Sequence, residues 1–150
     1  MLTEFKKYIE KHNLIEKDDK ILLALSGGVD SMVLAKLLLA VSRQLSANSQ
    51  LFFAHCNFHL RGEDSNRDER FVKEFAKENG IELFVKHFDT EAYAKENSLS
   101  IEMAARELRY AWFEELKNIH NINKVALAHH GDDQIETFFI NFLRGSGIKG

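Results

Sequence analysis

The stretch from Lys20 to Ala40, KILLALSGGVDSMVLAKLLLA, constrains the fold more than any other. A short apolar run, Ile21 to Leu25, enters a tight polar loop, Ser26 to Ser31. A second apolar run, Met32 to Val41, follows at once with helical spacing. The order is buried strand, glycine turn, helix start, which is the geometry of an anion site. The turn bends tightly, the first helical amides lack intrahelical acceptors, and the helix dipole favours negative charge.

Within the loop, Gly27 and Gly28 remove β-carbons that would hold phosphate oxygens off the backbone. Ser26 and Ser31 supply hydroxyls, and either suits a helix cap. Asp30 repels phosphate unless a cation lies between them, and Mg²⁺ binding through one carboxylate plus phosphate oxygens resolves that conflict. The loop is too short for a Walker A motif and lacks its Lys-Ser/Thr pair. Its glycines also miss the dinucleotide-binding spacing. An ordinary strand-to-helix turn with a capping serine is the plain alternative.

The remaining chain alternates strand and helix patterns, which predicts an α/β fold: an open parallel sheet with helices on both faces. Thr3 to His12 reads as a helix capped by Thr3, and Leu51 to His55 as a second strand. A helix capped by Ser65 or Asn66 follows and stops at Asn79-Gly80. Ile81 to His87 alternates as a third strand, and Asp89 to Asn97 is a short helical segment. Ser100 opens a long helix with Ile101, Ala104, Ala105, Leu108, Ala111, Trp112, Leu116 and Ile119 as its apolar stripe. Lys124 to Ala128 is a fourth strand. A helix with Phe138, Phe139, Phe142 and Leu143 in the core is expected to follow.

Two further chemical centres lie at strand ends, where ligands sit in open parallel sheets. After the second strand comes His55-Cys56-Asn57-Phe58-His59-Leu60-Arg61, which places His55 and Asn57 on the nucleotide side. The plain reading of His55 is a structural hydrogen-bonding group. Cys56 reads as a small buried residue. After the fourth strand comes His129-His130-Gly131-Asp132-Asp133-Gln134-Ile135-Glu136. Asp133 and Glu136 share one helical face and suit a metal or the orientation of a nucleophile. A dinuclear metal hydrolase and a simple acidic helix cap are the competing readings of that string.

At 150 residues the chain suits one domain with a real core, and a net charge of −3 argues against gripping nucleic acid by bulk electrostatics. Cys56 is the one cysteine, so disulfides and cysteine zinc clusters are excluded. No apolar run reaches membrane-spanning length and no signal-peptide pattern is present, so a cytoplasmic location is expected. The terminal RGSGIKG reads as an unfinished loop, so residues 1–150 are expected to be one domain of a longer protein.

SGGVDS resembles the phosphate loop of the PP-loop ATPases, the N-type ATP pyrophosphatases, which cleave ATP between the α- and β-phosphates. Together with HCNFHLRGEDSNRDE, SIEMAARELRY and LAHHGDDQIETFFINFLRGSGIKG, in that order, it is similar to the N-terminal domain of the bacterial tRNA(Ile)-lysidine synthetases. That resemblance implies a Rossmann-like fold with sheet order 3-2-1-4-5, of which four strands are legible here. It implies a ligase that uses ATP and Mg²⁺ to join free L-lysine to C2 of the wobble cytidine in isoleucine tRNA with a CAU anticodon. AMP and pyrophosphate are released, and lysidine is formed.

By the resemblance, Ser26, Gly27, Gly28, Val29, Asp30 and Ser31 bind ATP, with Asp30 also the Mg²⁺ contact. His55 and Arg109 join the ATP site. Asp30, Arg106, Asp133 and Glu136 carry the chemistry, the arginines by stabilising phosphate charge. The same two arginines read otherwise as surface ion-pair partners, with Glu102 four residues before Arg106. The family pattern HVNHxLR appears here as HCNFHLR, with Phe58 at its second histidine and His59 one position late, so that histidine receives no role. Rival assignments are a PP-loop tRNA thiolase, an ammonia-using synthetase, or a nucleotide-binding module without chemistry. The lone cysteine speaks against thiolation. The tRNA grip is expected outside this segment, and oligomeric state is left open, a homodimer included.

Overall fold

The computed structural model describes residues 1–45, 50–128 and 140–143, with backbone alone for 44–45 and 140–143. The elements are α1 (Leu2–Lys11), β1 (Lys20–Ala24), α2 (Val29–Leu45), β2 (Gln50–Asn57), α3 (Glu63–Asn79), β3 (Glu82–His87), α4 (Thr90–Glu96), α5 (Ile101–His120), β4 (Lys124–Ala128) and β5 (Ile140–Leu143). They form one sheet of order β3-β2-β1-β4-β5, as the resemblance implied. β1 pairs in parallel with β2, Leu23 opposite Phe53, and with β4, Leu22 opposite Val125. β3 adds in parallel to β2.

The sheet divides the core in two. On one face Leu23, Leu25 and Phe53 pack with Phe5 and Ile9 of α1, Leu34 and Leu38 of α2, and Val72 of α3. On the other, Leu22, Ala54 and Val125 pack with Phe88 and with Trp112, Phe113 and Leu116 of α5. Central strands apolar on both faces require this double cover, which is why β1 and β4 read as continuous apolar runs.

Several local expectations change. Thr3 lies inside α1, whose N-cap is Met1 with no side-chain cap. α3 begins at Glu63, two residues ahead of the expected cap. Ser65 Oγ instead accepts from the Arg61 N–H at 3.1 Å, holding the loop before the helix. Ile101, Ala111 and Ile119 are exposed rather than part of the α5 stripe, whereas Phe113 is fully buried. Both isoleucines sit in the end turns of α5.

Ile140–Leu143 is a strand antiparallel to β4, not the end of a helix, with Phe142 opposite Ala126. β4 has an open edge, and backbone pairing there satisfies groups that a helix could not reach. Phe138 and Phe139 lie outside the described residues.

The end of the sheet opposite the glycine loop is locked by a buried ion pair. Asp19 accepts from Lys124 Nζ, from Asn123 Nδ2 at 2.8 Å and from the Glu16 N–H at 2.7 Å. Lys124 Nζ also donates to the Leu14 carbonyl at 2.6 Å. Burial raises the Asp19 pKa, but the Glu16 amide, Lys124 and Asn123 outweigh it and hold the carboxyl below its ordinary value. This fastens the start of β1 to the start of β4.

Candidate functional site: a cavity above the glycine loop

The loop between β1 and α2 is tied by one hydroxyl. Ser31 Oγ donates to the Gly28 carbonyl at 3.1 Å and accepts from the Ser26 N–H at 3.1 Å. Its single proton is thereby used, so the 3.0 Å contact between the two hydroxyls has Ser26 donating. Ser26 Oγ in turn accepts from the Gly28 N–H at 3.1 Å. Met32 N–H to Gly28 carbonyl, 3.1 Å, is an early bond of α2. The two serines therefore shape the turn from within, and Ser31 is 5% exposed in consequence.

The loop borders a cavity of about 610 Å³ at the carboxyl ends of β1, β2 and β4. Ser26, Gly28, Val29, Asp30 and Ser31 form its polar edge. Ala24, Ala54, Cys56, Phe58 and Phe113 form an apolar wall on the α5 side of the sheet. Arg109 of α5 enters that wall. The volume lies in the range of small-molecule sites, and an apolar wall facing a phosphate-type loop suits a base or sugar joined to phosphates.

Arg109 is the cation of this cavity wall. Its Cζ lies 5.9 Å from the ring centroids of both Phe58 and Tyr110, and its buried Nε has no hydrogen-bond partner among the described residues. A buried guanidinium N–H without an acceptor is rare in a folded protein, and a water or an anionic ligand in the cavity would satisfy it. Arg106, one turn earlier, is exposed and stacks over Tyr110 at 5.1 Å, outside the cavity lining.

His55 is buried at 3% exposure, on the sheet face opposite Ala54 and Cys56. Its Nδ1 donates to the Leu25 carbonyl at 2.6 Å, since a carbonyl only accepts. His55 therefore ties β2 to the last residue before the loop, and its buried Nε2 has no partner among the described residues. Asn57 donates to Asn66 Oδ1 at 3.2 Å and Glu69 Oε1 at 3.1 Å, joining β2 to α3. Glu69 also takes Lys73 at 2.9 Å and His87 at 2.8 Å. Its burial raises the carboxyl pKa, but these hydrogen bonds and the nearby Lys73 and His87 charges outweigh it and hold the pKa low.

Cys56 faces the cavity from β2, half-buried. Burial pushes its thiol up to about 12, against the smaller opposing pull of Arg109 and Lys86. The thiol is protonated at neutral pH and is a poor nucleophile.

Of the residues expected to bind ATP, the structure gathers Ser26, Gly28, Val29, Asp30, Ser31 and Arg109 around one cavity. Gly27 completes the loop, and His55 braces it from the other face. Asp133 and Glu136, with His129 and His130, lie outside the described residues. Among the described residues, no group of three or more His, Cys, Asp or Glu side chains is placed to hold a metal ion. Among the described residues lining the cavity, Asp30 is the one that offers a carboxylate on the polar edge, which fits one protein contact to a phosphate-bound Mg²⁺.

Sequence reasoning missed Phe58 and Phe113 as cavity wall. The spacing Ala105, Arg109, Phe113 was the available signal, because residues four apart share a helix face. Phe58 had none, since only the turn after β2 aims it inward.

Residues 1–150 match the family model of the PP-loop domain. The chain is 52% identical over 144 residues to a tRNA(Ile)-lysidine synthase of Bacteroides thetaiotaomicron, covering 96% of this chain and 32% of that protein. It is 47% identical over 150 residues to the synthase of Parabacteroides distasonis, covering 100% and 33%. Identity to the synthase of Clostridium acetobutylicum is 39% over 150 residues, covering 100% and 32%. The chain thus spans about a third of the length of these relatives.

Among solved structures, the U34-tRNA thiolase NcsA from Methanococcus maripaludis, with its [4Fe-4S] cluster, superimposes with a TM-score of 0.68 at 23% identity, over 84% of this chain and 44% of that one. That likeness bears on the fold alone. With the loop, the sheet order and a match over its whole length in agreement, the chain belongs to the PP-loop domain family of ATP-using proteins.

Proposed function

We propose that this chain is the ATP-using domain of a tRNA(Ile)-lysidine synthetase. The observation that carries this is identity of 39–52% to three such synthases across nearly the whole chain. The substrates are ATP, an isoleucine tRNA with a CAU anticodon, and free lysine. The cytidine C2 oxygen attacks the α-phosphorus, the bond to the α–β bridging oxygen breaks, and pyrophosphate leaves. The lysine ε-amine then attacks C2, and AMP leaves with the C2 oxygen. Adenylation is needed because the amide-like C2 carbonyl is a poor electrophile.

In this reading the loop of Ser26 to Ser31 receives the phosphates at the start of α2. The wall of Ala54, Cys56 and Phe58 takes the nucleoside. Arg109 satisfies its orphaned Nε on phosphate oxygen and stabilises the charge that develops there. Arg106, at the exposed rim, acts on phosphate charge from outside. Asp30 would hold Mg²⁺, which when bound would offset the negative charge of the phosphates beside that carboxylate. Asp133 and Glu136 hold the lysine ammonium and accept its proton. The high thiol pKa of Cys56 disfavours sulfur transfer through this residue.

The test is release of pyrophosphate and AMP from ATP by the full-length protein with Mg²⁺, lysine and unmodified tRNA. Pyrophosphate release that needs the tRNA, with AMP release that also needs lysine, supports the reading. Release with a different acceptor retains ATP cleavage and removes the lysidine assignment.

A further inference from the structure

The glycine loop has a neighbour on the face away from α5. Gly27 has φ +88°, and a β-carbon there would stand 3.0 Å from Asp68 Cβ and 3.3 Å from Asp68 Oδ1. The second turn of α3 therefore presses a carboxylate against the loop. Beside a phosphate site that charge is adverse unless something offsets it.

Arg61 does so in this structure. Its Nη1 lies 3.4 Å from Asp68 Oδ2, and its Nη2 lies 3.9 Å from Asp64 Oδ2. Both contacts are long and single-pronged, and the Arg61 side chain is 67% exposed, so the pairing is weak and readily exchanged. The backbone of Arg61 is fixed, by contrast, through its N–H to Ser65 Oγ. A guanidinium with a held base and a loose tip stands one carboxylate away from Gly27. A phosphate group offers it the two-pronged geometry that Asp68 does not.

Two arginines thus flank the loop from opposite faces of the sheet, Arg109 from α5 and Arg61 from the turn before α3. Cleavage of ATP between the α- and β-phosphates calls for a grip on each side of the breaking bond. Resting on the ATP reading above, we propose that Arg61 binds the β- and γ-phosphates and so the departing pyrophosphate, with Asp68 as its resting partner. The new bond joins the attacking oxygen to the α-phosphorus. The bond from that phosphorus to the bridging oxygen breaks, its electron pair leaves with pyrophosphate, and Arg61 offsets the charge that builds there.

Calorimetric titration of the full-length protein with inorganic pyrophosphate, ATP and AMP, at one salt concentration with Mg²⁺, tests this. Arg61→Ala should weaken pyrophosphate and ATP binding about tenfold or more while AMP binding changes less than about twofold. Arg61→Lys should recover only part of the loss, because the charge returns without the fork. The loss should persist in an Asp68→Asn background.

Unchanged pyrophosphate binding in Arg61→Ala overturns the proposal. So does a loss that disappears with Asp68→Asn, since Arg61 then merely masks Asp68, and so does an equal loss for AMP. A wild-type protein that binds neither ATP nor pyrophosphate brings down the ATP reading itself, and this proposal with it.

Discussion

The absent β-carbon of Gly27 points at Asp68: a methyl group there would sit 3.0 Å from Asp68 Cβ, with the Gly27 backbone at φ +88°. Two separate constraints therefore demand glycine, one from the turn and one from α3. Gly27→Ala should destabilise the protein by about 2 kcal/mol or more and displace the loop, abolishing measurable ATP binding. Gly27→Ala with Asp68→Ala should regain only the part due to the clash. Urea unfolding of both variants separates the two. Full recovery in the double variant would show that backbone strain contributes nothing.

Arg109 is expected to govern nucleotide affinity. Arg109→Ala should weaken ATP binding about tenfold or more, as loss of a charge-assisted hydrogen bond does. The readout is intrinsic. Trp112 is the single tryptophan, it packs on Phe88 at 6.1 Å, and Phe88 stacks on the cavity residue Phe58 at 5.5 Å. ATP should change its fluorescence in the wild type. A wild-type affinity retained in Arg109→Ala would remove this arginine from the site.

The Asp19–Lys124 pair is buried on both sides, so removing one partner leaves the other uncompensated. Asp19→Asn or Lys124→Met should each cost about 3–5 kcal/mol, and the pair replaced together should cost less than either alone. The pH dependence has a definite sign. The Asp19 pKa is lowered in the folded protein, so its contribution is complete above the ordinary carboxylate value of about 4 and is lost as pH falls through the lower folded value. Stability curves of wild type and Asp19→Asn should therefore converge on acidification. Parallel curves would show that Asp19 does not titrate with unfolding.

Cys56 should be a slow thiol. With its pKa pushed up to about 12, alkylation by iodoacetamide at pH 8 should run at least about tenfold slower than for a free cysteine. The rate should still be rising above pH 9, and bound ATP should slow it further, because Cys56 lines the cavity. A fast reaction that levels off near pH 8 would show that the thiol is not desolvated.

Helix caps show where local reading holds and where it fails. Ser100 caps α5, accepting from the Met103 N–H at 3.1 Å, and Asp89 caps α4 through the Ala92 N–H at 3.2 Å. Both depend only on neighbours three residues away. Thr3 and Ser65 have the same chemistry but other roles, because the chain enters α1 and α3 earlier than their side chains suggest. The strand at Ile140–Leu143 had no local signal, since its cause is the open edge of β4.

The sequence by itself determined the glycine loop, the parallel α/β alternation and the family. These rest on short-range patterns: glycines at a turn, runs of apolar residues, and motifs held in order along the chain. Only the tertiary structure decided which side chains meet. It set His55 as a brace behind the loop, Phe58 and Phe113 as cavity wall, and Asp68 against Gly27. It also brought Arg61 and Arg109, 48 positions apart in the chain, to opposite flanks of one loop. Such contacts depend on how helices settle on a twisted sheet, and no pattern within a few residues records that.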